Sequence, residues 1–355
     1  MTNIEYPFWV WIFFFAVVLV ALFVDIGIVN RHSHAPSRKE TTVWSIVWIS
    51  LALLFNVFIY WQVGAYHENS TLALNKAIEF FTGYLIELSL SVDNLFVFLL
   101  IFSYFKVPKE FQHRVLFWGI MGALVMRMIM IFAGAELVER FHWIIYIFGA
   151  FLLYTGIKMF SDDDESFNPE ESRMISVITR HIPITKHYEG NNFLTKVDGK
   201  TTGTLLLLVL IVVELSDLMF AVDSIPAIFG ITTDKFIVYT SNIFAILGLR
   251  TFFFMLANLA DRFHLLKFGL AFVLSFIGVK MLLPLAADGL MKILGETNTS
   301  SFAVFLQKYL NHDYKQTEIY ISLAVVSGAI AVSIILSLII PPKKDAMKEM
   351  EEDLT

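Results

Sequence analysis

The chain has 355 residues, of which 57% are hydrophobic and only 16% are charged, and its mean hydropathy is +0.68. This composition excludes a soluble globular protein and indicates a chain that crosses a membrane several times. The net charge of −6 is divided among connecting segments, and the lack of cysteine excludes disulfides, thiolate metal sites and thiol chemistry.

Apolar runs of about 20 residues follow one another along the chain, and each is long enough to cross a hydrocarbon core of roughly 30 Å as a helix. The predicted spans lie at about 7–29, 42–63, 78–104, 113–135, 141–160, 203–226, 236–257, 263–284 and 318–340. The first run has no basic start and no small-residue cleavage site, so it is interpreted as a membrane helix, not a signal peptide. The predicted fold class is all-α, a polytopic membrane protein with about nine transmembrane helices.

Lysine and arginine are distributed unevenly between the segments that connect these spans. Seventeen fall on one side and six on the other when the segments are assigned alternately. The positive-inside rule then places the N-terminus outside and the C-terminus in the cytoplasm.

The predicted spans divide the chain into six segments. They are two N-terminal transmembrane helices (1–77), a first three-helix unit (78–160), a cytoplasmic connector (161–202), a second three-helix unit (203–284), an external insertion (285–317), and the last transmembrane helix with a cytoplasmic tail (318–355).

Two apolar segments carry acidic residues in matching positions. Residues 83–94 read GYLIELSLSVDN and residues 213–224 read VELSDLMFAVDS. Glu87 and Asp93 stand six residues apart in the first, as do Asp217 and Asp223 in the second. A charged side chain at the centre of a membrane costs about 2.5–3.5 kcal/mol on insertion scales. Four matched carboxylates, with Glu214 beside them, therefore predict that these segments hold a positive charge.

The similarity between the two halves continues downstream of the acidic segments. Residues 140–159 and 262–281 share seven identities without a gap, and Arg127 and Arg250 lie inside spans at comparable places. Because each unit contains three spans, the two units would lie in opposite orientations. Such an inverted repeat is typical of transporters, whose binding sites lie near mid-membrane between the repeats.

The candidate metal ligands are the five acidic residues of the matched segments, Glu87, Asp93, Glu214, Asp217 and Asp223. Hard oxygen ligands without cysteine favour Mn²⁺, Mg²⁺ or Ca²⁺ over Zn²⁺ or Cu⁺. Candidate neutral ligands are Ser91, Asn94, Ser224 and Asn242. Six residues turn a helix by about 600°, so the acids of each pair would share a face only if the helix were locally broken. A break is therefore expected, and Pro226 shortly after Asp223 is consistent with it.

Arg127 and Arg250 are the candidate counter-charges of the site. They would neutralise the acids when no metal is bound. The alternative is that the acids form purely structural ion pairs with these two arginines.

Three segments resemble the TerC family of integral membrane proteins and, within it, the Alx-like branch. They are residues 81–94, residues 213–227 and residues 240–250. The resemblance covers about residues 8–284 and resumes in the last span, whereas 285–317 departs from the pattern. It implies a bacterial inner-membrane protein that exports manganese, with Mn²⁺ as the transported substrate and no organic cofactor.

The leading functional hypothesis is a secondary transporter that exports a divalent metal cation. The chain has no Gly-rich nucleotide-binding motif, so an ion gradient or the membrane potential would supply the energy. A metal-binding scaffold that delivers metal to exported or membrane-inserted enzymes is the alternative. An intramembrane aspartyl protease is disfavoured because its Gly-x-Gly-Asp and Tyr-Asp signatures are missing, so no enzymatic activity is expected. The expected partners are a metal ion and the lipid bilayer, without nucleic acid; the residues leave the oligomeric state open.

Overall fold

The computed structural model describes residues 4–24, 38–161, 182–185, 187–197, 200–256, 265–294, 300, 306–307, 310 and 314–340. The helices of this described part are α1 (Phe8–Val24), α2 (Arg38–His67), α3 (Ser70–Tyr104), α4 (Lys109–Arg140), α5 (Ile144–Ser161), α6 (Leu205–Phe229), α7 (Lys235–Leu247), α8 (Leu249–Leu256), α9 (Leu266–Leu294) and α10 (Lys315–Ile339).

A helix overlaps every predicted span, which agrees with the all-α fold class. Among the described residues, five helices are long and apolar enough to cross a membrane, namely all or nearly all of α2, α4, α6, α9 and α10. Helices α1, α5 and α7 are apolar but shorter. The seventh predicted span is divided into α7 and α8 at Gly248. The number of membrane crossings stays a prediction.

Large apolar side chains cover the outer faces of the helices. Examples are Phe8, Phe23, Leu54, Trp61, Phe272, Ile293, Ile335 and Ile339. A soluble protein rarely exposes so much contiguous apolar surface, whereas a membrane protein turns it toward lipid. Helix α3 lies inside the bundle and packs against α2, α6, α7, α8 and α10.

The described part of the cytoplasmic connector contains a small hairpin that the sequence did not predict. Strands β1 (Leu194–Val197) and β2 (Lys200–Gly203) pair antiparallel. The two residues between them in the sequence are Asp and Gly, a pair that favours hairpin connections. Tyr188 anchors this region by donating a hydrogen bond of 2.7 Å from its hydroxyl to the carbonyl of Phe105. Burial raises the pKa of Tyr188 to about 12.

Helix α9 extends ten residues into the segment that was predicted to be an external insertion. It continues past Pro284 to Leu294. Leu290 and Ile293 are exposed in this extension, and Lys292 forms a 2.7 Å ion pair with Asp288 one turn earlier. The predicted insertion therefore begins as a continuation of the preceding helix.

Helices α5 and α9 pack antiparallel through reciprocal close contacts at two glycines. A Cβ atom on Gly156 would lie 2.3 Å from Ser275 Oγ and 2.8 Å from the carbonyl oxygen of Ala271. A Cβ atom on Gly278 would lie 2.6 Å from the amide nitrogen of Leu153 and 2.7 Å from the carbonyl oxygen of Gly149. Only glycine permits this approach of the two backbones.

Candidate functional site at the centre of the helix bundle

The centre of the bundle contains a fully buried arginine between two carboxylates. Arg127, on α4, is 0% exposed. Its Nη1 donates to Glu87 Oε1 of α3, and its Nη2 lies 3.3 Å from Asp217 Oδ1 of α6. Its Nε donates to the other oxygen of Asp217 at 3.5 Å. The two matched acidic segments thus meet at one guanidinium group.

Two neutral side chains complete this cluster. Asn242 on α7 donates from Nδ2 to Glu87 Oε2 at 2.9 Å and accepts from Arg127 Nη1 at 3.1 Å. Ser91, one turn along α3, donates a longer bond of 3.4 Å to Glu87 Oε1. Both were candidate neutral ligands. We call the five residues Glu87, Ser91, Arg127, Asp217 and Asn242 the central cluster.

The central cluster holds two negative charges and one positive charge, all buried. Buried charges are tolerated when they are paired and hydrogen-bonded, and removing one partner leaves the others strongly destabilised. Arg127 occupies the position between the carboxylates that a bound cation would need. Within the part of the chain whose side chains are described, no three acidic or histidine side chains are grouped to hold a metal ion.

The prediction of a helix break near the paired acids is wrong. Helix α3 is continuous through positions 87 and 93, and α6 is continuous through positions 217 and 223. Pro226 lies inside the last turn of α6, where it removes one amide donor without ending the helix. The two acidic positions of each pair therefore lie on different helix faces. The side chains of Asp93, Asp223 and Arg250 lie outside the described residues.

One buried polar residue directly follows the second acid of each segment. Asn94 is 4% exposed and Ser224 is 1% exposed. Among the described residues, Asn94 Nδ2 and Ser224 Oγ have no hydrogen-bond partner. Most buried polar atoms in proteins are paired. These two orphaned groups are the candidate neutral ligands that directly follow Asp93 and Asp223.

Glu214 lies one turn before Asp217 on α6, outside the central cluster. Its carboxylate rests against Gly122 of α4, where a Cβ atom would come within 2.0 Å of Glu214 Oε1. In the described part of the chain Glu214 forms no ion pair, in contrast to Asp217.

A cavity of about 10 Å³ adjoins Asp217, with Phe98 and Leu249 among its apolar walls. This volume admits about one water molecule.

If the chain transports a metal ion, as the sequence predicts, we expect Glu214→Gln to reduce that transport less than Asp217→Asn does. Asp217 holds the buried guanidinium of Arg127 by two hydrogen bonds, whereas Glu214 binds no partner of this kind. Initial transport rates at matched protein levels in vesicles would measure the difference. Equal losses would show that both carboxylates contribute equally to transport.

A second buried charge cluster was not predicted from the sequence. Lys76 Nζ, near the start of α3, lies 2.9 Å from Glu79 Oε2 and 2.9 Å from Asp234 Oδ2. Thr232 donates to Glu79 at 2.6 Å, and Tyr6 donates to Asp234 at 3.3 Å. We call these five residues the end cluster. It ties the start of α3 to the connection between α6 and α7. Its residue Glu79 precedes Glu87 by about two turns of α3.

We expect Lys76→Met to destabilise the fold by about 3–5 kcal/mol, because Glu79 and Asp234 would remain buried without their cation. The matched control is Lys292→Met, whose ion pair with Asp288 is exposed, and it should have little effect. Thermal unfolding of the purified proteins in detergent measures both. Similar melting curves for the two variants would show that the end cluster contributes no stability.

Residues 72–345 match the family model described as Integral membrane protein TerC family. An uncharacterised membrane protein of Myxococcus xanthus is 50% identical over 271 residues, which are 76% of this chain and 82% of that protein. Proteins named membrane-bound redox modulator Alx, with the role given as provisional, are 49% identical in Salmonella typhi and 48% in Escherichia coli K12. Each of these two matches covers 274 residues, 77% of this chain and 85% of the relative. No solved structure matches the chain.

Proposed function

The chain belongs to the TerC family of integral membrane proteins, and we propose that it is a secondary transporter that exports a divalent metal cation, with Mn²⁺ as its substrate. The observation that carries this proposal is the meeting of Glu87 and Asp217 around one buried positive group. Four helices supply the surrounding polar atoms. A site so costly to bury is typical of ion pathways in membrane proteins.

In this mechanism Arg127 acts as the resident counter-ion of the empty site. An arriving divalent cation brings two positive charges to two carboxylates and displaces the guanidinium from them. Oxygen atoms of Glu87, Asp217 and Asn242 are the hard ligands that Mn²⁺ accepts. When the ion leaves, Arg127 returns and keeps the carboxylates from remaining uncompensated. The guanidinium and the metal ion therefore compete for the same oxygen atoms.

The contacts between the two three-helix units support an inverted repeat. Gly156 and Gly278 are equivalent in the sequence match, as are Leu153 and Ser275. Gly156 approaches Ser275, and Gly278 approaches Leu153, so the contact is reciprocal. A contact of this type follows from a twofold relation between the partners.

The same relation extends to the central cluster. Helix α3 packs against α7, and its counterpart α6 packs against α4. Glu87 binds Asn242 across the first contact, and Asp217 binds Arg127 across the second. Two such units rocking against each other would expose the central cluster first to one side of the membrane and then to the other.

The side chains of the central cluster are buried in this conformation. The buried end cluster lies toward the start of α3, and the small apolar cavity beside Asp217 lies on another side. We interpret the conformation as occluded. In the proposed orientation the chain lies in a bacterial inner membrane, with its N-terminus outside and its C-terminus in the cytoplasm, and an ion gradient drives export.

The redox role in the name of the Alx relatives belongs to those proteins. In this chain thiol–disulfide exchange is excluded, because there is no cysteine. Movement of a redox-active metal such as Mn²⁺ is compatible with a redox effect that requires no thiol.

The test is metal flux into liposomes that contain the purified full chain. We expect saturable transport of Mn²⁺, with slower transport of Mg²⁺, Ca²⁺ and Zn²⁺, and transport slowed by about 100-fold in liposomes that carry a Glu87→Gln variant. Saturable Mn²⁺ binding without flux would favour the scaffold that delivers metal to other enzymes. If neither binding nor flux of Mn²⁺ were observed, the central cluster would be a structural ion-pair network.

A further inference from the structure

A cavity of about 430 Å³ lies between α9 and α10, away from the central cluster. Its walls are mainly apolar, with Phe276 and Leu283 on α9 and Ile321 on α10. The volume falls in the range of small-molecule sites in proteins. Both helices are long and apolar enough to cross a membrane, so we expect lipid beside this cavity.

Two opposite charges line this cavity without contacting each other. Lys280 is half-buried on α9, and its Nζ donates to the carbonyl of Gly230 at 3.2 Å and to Ser322 Oγ at 3.0 Å. Glu318 is half-buried one turn before Ser322 on α10. In the described part of the chain neither charge has an ion-pair partner. Both charges are therefore available to a ligand with complementary groups.

The depth order of the lining groups matches that of a phospholipid. Lys280 contacts Gly230, which directly follows the end of α6, so the charges lie near one end of the bundle. Glu318 is in the first turn of α10, and Ser322 with Lys280 lies one turn deeper. Phe276 lies a further turn along α9. Apart from Leu283, which lies beyond Lys280 on α9, the lining passes from charged to apolar toward the membrane interior.

We propose that this cavity binds a phospholipid whose headgroup carries both a phosphate and a primary ammonium, the chemistry of phosphatidylethanolamine. The phosphate accepts from Lys280, and the ammonium donates to Glu318. An acyl chain follows the apolar wall at Phe276. A headgroup without a cation leaves Glu318 unpaired, and a quaternary ammonium cannot donate a hydrogen bond to it. Charge complementarity therefore selects this headgroup, independently of any transport activity.

Native mass spectrometry of the delipidated full chain, titrated with three phospholipids of identical acyl chains, tests the proposal. We expect phosphatidylethanolamine to bind about tenfold more tightly than phosphatidylcholine or phosphatidylglycerol, because one charge-assisted hydrogen bond is lost with each of these. Glu318→Gln should abolish the preference over phosphatidylcholine. Lys280→Met should weaken the binding of phosphatidylethanolamine and of phosphatidylcholine about tenfold.

Two further variants separate the cavity from general effects. Ile321→Trp should narrow the cavity at the acyl-chain wall and weaken binding while keeping both charges, so it decides the question if Lys280→Met does not fold. Lys292→Met, on the exposed extension of α9, should leave lipid binding unchanged. Equal binding of the three lipids, or binding unaffected by Ile321→Trp, would overturn the proposal. A wild-type chain that binds none of the three lipids would also overturn it and would indicate that the protein itself covers the cavity.

Discussion

Replacing Arg127 with methionine is expected to make the stability of the protein depend on divalent cations. Without metal, Glu87 and Asp217 would be buried with no counter-ion, and the loss of stability should reach about 3–5 kcal/mol. A bound Mn²⁺ replaces the missing charge, so saturating Mn²⁺ should restore most of that loss. Thermal unfolding in detergent, with EDTA or with Mn²⁺, measures both effects.

The matched control for this variant is Arg140→Met on the same helix. Arg140 is exposed and forms an ion pair with Glu136 at the surface. Its removal should change stability little, with or without metal. If Mn²⁺ stabilised the two variants equally, Arg127 would not compete with the ion, and the central cluster would be structural.

Glu87→Gln and Asp217→Asn are each expected to lower Mn²⁺ transport by about 100-fold, because losing one partner of a buried charge pair weakens binding by about 2–5 kcal/mol. Each substitution keeps the side-chain volume and removes the charge that the cation needs. The sequence pattern predicts the same loss for Asp93→Asn and Asp223→Asn. Initial rates of Mn²⁺ uptake into liposomes, at equal protein content, measure the effect.

Ser91→Ala is the control for this pair of variants. Ser91 lies on α3 one turn from Glu87 but contributes only a neutral hydrogen bond of 3.4 Å. Transport by Ser91→Ala should stay within a few-fold of the wild type. Wild-type rates in folded Glu87→Gln protein would remove Glu87 from the ion path.

The central cluster was predictable because charge in an apolar span is costly and therefore conspicuous. Glu87, Asp217 and Arg127 were recognised in this way, and the match between the two acidic segments pointed to their meeting. The sequence did not specify which groups would pair. The predicted helix break assumed that Glu87 and Asp93 share one ion, whereas the unbroken α3 places the two positions on different faces.

The end cluster escaped prediction for a physical reason. Lys76 and Asp234 lie just outside predicted spans, where a charge is ordinarily solvated. Their burial results from a long-range contact between the start of α3 and the connection that precedes α7, and no local pattern records that contact. The hairpin at 194–203 was missed similarly, since its strands are short and lie within a polar connector. The division of the seventh span at Gly248 had only one glycine as its signal.

The competition between Arg127 and the transported ion is tested most directly by equilibrium binding of Mn²⁺. Electron paramagnetic resonance of free Mn²⁺ would be measured during titration of the wild type, Arg127→Met and the double variant Glu87→Gln with Arg127→Met. We expect saturable binding to the wild type, binding at least about tenfold tighter in Arg127→Met, and loss of binding in the double variant. Equal affinity in all three proteins would contradict a metal site formed by Glu87 and Asp217 in place of Arg127.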